Sequence, residues 1–80
     1  MELKGQGDLG EAWTVFADLL DKFPEYVPTY LQAGATLAAL GRGNEAASTY
    51  RRGIEAAVAR GDSHARQELE SALTQIGAKQ

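Results

Sequence analysis

Three features of these 80 residues predict an all-α fold of antiparallel helix pairs. Apolar side chains recur at spacings of three and four along four successive segments, the period of an amphipathic helix. Glycines punctuate those segments, at Gly5 and Gly7, Gly41 and Gly43, Gly61 and Gly77. Nothing reads as a strand, because β-branched residues are sparse and no Asn-Gly or Asp-Gly turn joins alternating apolar stretches.

The first helix is expected from Leu9 to Lys22. Asp8 and Glu11 form a capping-box pattern at its start, and Leu9, Ala12, Trp13, Phe16, Leu19, Leu20 and Phe23 form its apolar stripe. Pro24 ends it, since the residue before a proline is pushed out of the helical region. The second helix opens at Pro28, where a missing N–H costs nothing, presents Tyr30, Ala33, Gly34, Leu37 and Leu40, and stops at Gly41. A third is expected from Asn44 to Arg60, with Ala46, Ala47, Tyr50, Ile54, Ala57 and Val58 inward. Gly53 inside it costs about 1 kcal/mol against alanine, and either close helix approach or simple tolerance accounts for it. The fourth, capped by Asp62 or Ser63, turns Ala65, Leu69, Ala72, Leu73 and Ile76 to one side.

Composition excludes several functions. With 44% apolar and 24% charged residues the chain is globular, yet it has no cysteine and only one histidine, His64. Disulfides, thiolate metal sites and cysteine nucleophiles are therefore ruled out, and no cofactor is expected. Eleven acidic against eight basic residues give a net charge of −3, the wrong sign for binding nucleic acid through phosphates. No apolar run approaches the ~20 residues of a membrane helix and no basic leader precedes one, so a cytoplasmic protein away from membranes is expected. Residues 1–30 hold two basic and six acidic side chains, the remainder six and five. Arg51 and Arg52 read as a solvated face, with an acidic partner the less favoured account. No catalytic triad pattern occurs, and Gly5-x-Gly7 and Gly41-x-Gly43 lack the strand that a dinucleotide loop requires. An enzyme is not expected.

Sliding the chain so that Leu3 meets Leu37, a shift of 34, also aligns Gly7 with Gly41, Glu11 with Glu45, Ala12 with Ala46, Phe16 with Tyr50 and Leu20 with Ile54. That period, with Tyr30-x-x-Ala33-Gly34-x-x-Leu37 followed by Ala46-x-x-x-Tyr50, resembles the tetratricopeptide repeat. Upstream, Ala12-x-x-x-Phe16 and Pro24 match the second half of a preceding unit, with Gly7-Asp8 as the turn before it. Departures are Ala33 for leucine, Gly53 for alanine and Val58 for proline. The resemblance implies a right-handed superhelix in which residues 1–26 are the second half of a truncated repeat, 27–60 a complete one, and 61–80 a capping helix with its polar face in water. At the same shift His64, Gln67, Glu68 and Ser71 would point inward. Their polarity displaces the stripe of the last helix by one residue.

The resemblance implies a non-catalytic protein–protein interaction module with a shallow concave groove for a peptide or helix. In this chain the groove positions are Leu31, Gln32, Ala35, Ala38 and Ala39, small and nearly uncharged. The lysine-asparagine constellation with which some relatives hold a terminal carboxylate is missing. An alternative is a self-assembling helical fragment with no external ligand. If the first helix lacks one neighbour, part of its stripe faces water, and a homo-oligomer formed through Leu9, Trp13 and Phe16 is expected.

Overall fold

The computed structural model describes the backbone of residues 4–79 and the side chains of residues 9–77. Four helices follow one another: α1 (Lys4–Lys22), α2 (Val27–Ala39), α3 (Gly43–Arg60) and α4 (Ser63–Lys79), with no strand among the described residues. The alignment of Leu3 with Leu37 lies outside those residues.

The connections use the expected chemistry. At the end of α2, Gly41 takes φ +81°, and at the end of α3, Gly61 takes φ +72°, the left-handed conformation that closes a helix cheaply only with glycine. Arg42 N–H donates back to the Leu37 carbonyl and Asp62 N–H to that of Ala57, satisfying carbonyls the helix ends leave free. Pro28 sits in the first turn of α2. Of the two candidate caps for α4, Asp62 acts: its Oδ1 accepts from Ala65 N–H at 3.0 Å.

Among the described residues, helix α2 packs on α1, α3 and α4, α3 also packs on α4, and α1 packs on α2 alone. The molecule measures 40 × 31 × 18 Å, and its thinnest dimension matches two helix diameters of about 10 Å each. Its core joins Leu20, Val27, Tyr30, Ala33, Tyr50, Ala57 and Leu69. Tyr30 spans the α1–α2 connection, its hydroxyl donating to the Pro24 carbonyl at 2.7 Å.

Two glycines set the spacing of the layers. A Cβ on Gly53 would lie 2.5 Å from Tyr30 Cβ and 3.0 Å from Leu69 Cδ2, and one on Gly34 would lie 2.6 Å from Tyr50 Cδ1. Gly53 is therefore required by close approach of α3 to α2 and α4, and mere tolerance is no longer an adequate account.

Three expectations are corrected. Helix α1 begins at Lys4, not Leu9, so Asp8 lies inside it and neither the capping box nor a Gly7-Asp8 turn forms. Glycine disfavours helix by only about 1 kcal/mol and, unlike proline, blocks no hydrogen bond. Val58, expected inward, is 60% exposed, because a step of about 100° per residue carries it past Ala57 and off the buried face. Phe23 is likewise exposed, at the last turn of α1's spiral where its N–H still reaches the Leu19 carbonyl.

Candidate functional site

Helices α2 and α4 lie side by side over α3 and leave a groove between them. Its wider part, about 450 Å³, is walled by Ala35 and Ala38 of α2 and by Ala72, Gln75 and Ile76 of α4. Tyr50 of α3 supplies the floor, and Gly41 and Gly43 close the end. An adjoining part of about 390 Å³ shares Ala72 and Gln75 and continues past Leu31, Gln67 and Ser71 to His64 and Glu68.

Local sequence explains this shape. Alanine at positions 35 and 38 leaves α2 without side chains long enough to fill the space toward α4. Gly34, one residue before Ala35, admits the Tyr50 ring beneath α2. Tyr50 is 4% exposed as a residue, and this burial raises its phenol pKa above 10.0 by desolvation. The two parts differ in their lining side chains: alanines, Ile76, Tyr50 and Gln75 line the first, whereas the second adds Gln67, Ser71 and the exposed His64–Glu68 pair, with Nε2 to Oε2 at 3.1 Å, beside Leu31 and Ala72. Among the described residues no lysine or arginine lines either part.

Of the groove positions expected from sequence, Leu31, Ala35 and Ala38 line this space, whereas Gln32 and Ala39 are exposed on α2 outside it. Sequence reasoning missed the wall contributed by α4, whose polar face was expected to meet only water. The signal was present: His64, Gln67, Glu68 and Ser71, too polar for the core, are the residues that line the narrow part. On α1, Leu9, Trp13 and Phe16 are all half-buried, and Trp13 and Phe16 pack against the core.

Two arginines have structural work. Arg42 lies over the Trp13 ring at 5.8 Å and pairs with Glu45, tying the α2–α3 turn to α1. Arg52 lies 5.6 Å from the Tyr30 ring centroid. Each such contact contributes about 0.5–1 kcal/mol at exposed sites. Among the described residues no group of three or more His, Asp or Glu side chains could hold a metal ion. Nor is any described helix long and apolar enough to cross a membrane.

Successive antiparallel hairpins with a groove along the first helix of each pair define a helical-repeat scaffold. The particular kind is tetratricopeptide-like. The chain is similar to a tetratricopeptide repeat domain protein from Salinibacter ruber, with a TM-score of 0.89 to its solution structure and 0.85 to its crystal structure. In both comparisons sequence identity is 29% and 99% of this chain is covered, with 80% and 90% of the other chain respectively. No protein-family model matches the chain. No curated protein matches it in sequence.

Proposed function

We propose that this chain is a non-catalytic protein–protein interaction module that holds a peptide or helix in the groove between α2 and α4. One observation carries the reading: a tyrosine-floored, alanine-walled hollow adjoins, through Ala72 and Gln75, a second hollow lined by Gln67, Ser71 and the His64–Glu68 pair. A segment bearing one bulky apolar residue, followed by uncharged or cationic ones, fits that lining. The apolar residue displaces water above Tyr50. The polar residues meet the Gln67 and Gln75 amides and Glu68. A terminal carboxylate finds no cation among the described residues there.

A displayed library of random peptides, selected on the purified chain, tests this. Enrichment of sequences with an apolar anchor is expected, and Ala35→Glu should abolish it without unfolding the protein, because Ala35 is exposed. Equal enrichment on the variant, or none on either protein, would overturn the reading.

A second reading, self-association through α1, is favoured by a separate observation. Val15 of α1 and Phe23 just after it are each 56% exposed, and among the described residues α1 packs against α2 alone. It requires no ligand and is compatible with an open groove.

A further inference from the structure

Two tyrosines stand in the core almost equally covered, Tyr30 at 3% and Tyr50 at 4% exposure, yet their hydroxyls differ. Tyr30 donates to the Pro24 carbonyl at 2.7 Å. Tyr50 donates to no described residue. Among the described residues no enclosed side-chain oxygen or nitrogen lacks a partner, so the Tyr50 oxygen is not sealed in. It opens on the groove whose floor this residue forms.

A phenol in that position is an unused donor. Burial raises its pKa above 10.0, so it keeps its proton at neutral pH. In the free chain water takes the hydrogen bond. An occupant that displaced this water without supplying an acceptor would strand the hydroxyl, and stranding a covered polar group costs more than the bond itself contributes.

The lining decides which acceptor fits. It holds one carboxylate, Glu68, with His64 3.1 Å from it, and among the described residues no lysine or arginine. A carboxylate entering there would be desolvated without a counter-charge. Ala35, Ala38, Ala72 and Ile76 share the hollow with Tyr50 and favour an apolar side chain over one with a polar tip. A main-chain carbonyl meets neither objection, because every residue carries one whatever its side chain. In a helix interior each such carbonyl already accepts from the N–H four residues on, whereas in an extended segment it is free.

We propose that Tyr50 selects the occupant of the groove: its hydroxyl donates to a main-chain carbonyl of an extended peptide whose adjacent apolar side chain fills the alanine-walled hollow. This rests on the groove reading above and goes past it, choosing an extended segment over a helix and naming Tyr50 as the residue that sets specificity.

Calorimetric titration at pH 7 tests the assignment, with a synthetic copy of the most enriched library peptide as probe. Affinity for Tyr50→Phe should be about three- to thirtyfold lower than for the native chain, with helical circular dichroism and the urea midpoint unchanged. A set of peptides, each with one main-chain amide exchanged for an ester, adds a readout that a merely structural role would not move. An ester carbonyl is the weaker acceptor, so one exchange should weaken binding to the native chain and leave binding to Tyr50→Phe unaltered. Equal affinity for the two proteins, no such coupled position, or a gain in helical circular dichroism on binding would overturn the inference. The groove reading would still stand in those cases if Ala35→Glu abolished binding. Binding that survived Ala35→Glu, or a library that enriched no peptide, would overturn both.

Discussion

Phe16 and Tyr50 stand 34 residues apart at matching places on α1 and α3, and their rings fare differently. Tyr50 is enclosed by α2 and forms the groove floor, whereas Phe16 is half-buried. Both lie in amphipathic helices of similar length. What separates them is neighbours: among the described residues α3 packs on α2 and α4, α1 on α2 alone. Burial here is a property of the array, and a residue's own hydrophobicity only makes it available. The composition of the two helices follows the same division. Where two helices close on α3 its contact residues shrink to alanine, threonine and glycine, and where α1 stands open its residues stay large.

The sharpest way to break this comparison is to empty a contact on the enclosed side. Leu69 of α4 is fully buried against α3 beside Gly53. Leu69→Ala should cost about 2–5 kcal/mol, a large share of the ~4–12 kcal/mol expected for a domain of this size. Val15→Ala, on the open side, should stay within about 0.5 kcal/mol in the monomer. Urea unfolding measures both, and equal losses would show that α1 is enclosed after all.

Next come the glycines that let helices approach. Gly53→Ala should destabilise by about 1–3 kcal/mol despite alanine's better helix propensity, because the nearest obstacle, Tyr30 Cβ, is fixed to the backbone. Gly34→Ala meets ring atoms of Tyr50, which can swing, so its loss should be smaller. A reversed order of the two in thermal melts would contradict the geometry.

The cap of α4 comes third. Asp62→Ala removes the acceptor for Ala65 N–H and should cost about 1 kcal/mol. Faster hydrogen exchange in the first turn of α4 is the local readout. A smaller effect of opposite sign is expected on α1. A Cβ on Gly10 would meet nothing within 4 Å, so Gly10→Ala should stabilise the chain by about 0.5–1 kcal/mol.

How far the fold was legible follows the same contrast. Helix count, the Gly41 and Gly61 stops and the enclosed stripe of α2 were readable, because periodicity and left-handed turns are local signals. The start of α1 was misread because Gly7 looks the same in sequence as Gly41, although only Gly41 takes a positive φ where a return hairpin needs it. Half the groove was readable in the alanines of α2. The α4 wall was missed although the polarity of His64, Gln67, Glu68 and Ser71 signalled it, because a polar helix face looks the same in sequence whether it meets bulk water or the rim of a groove. Gly53 left two accounts open until Tyr30 and Leu69 were placed against it.

The smallest effect at neutral pH, and the most specific, concerns the Tyr50 hydroxyl. Tyr50 donates no hydrogen bond to a described residue, so Tyr50→Phe should leave stability nearly unchanged near pH 7. Burial raises the phenol's pKa in the folded chain above its ordinary 10.0. Below the unfolded value both states keep the proton and the group adds no pH dependence. As pH rises through 10.0 the unfolded chain releases that proton first, so folding weakens progressively toward the higher folded value. Denaturant midpoints measured in steps across this range should therefore fall more steeply for the native chain than for Tyr50→Phe. Parallel curves would mean that the hydroxyl is as well hydrated in the groove as in the unfolded chain, and the floor of the site would then be open water.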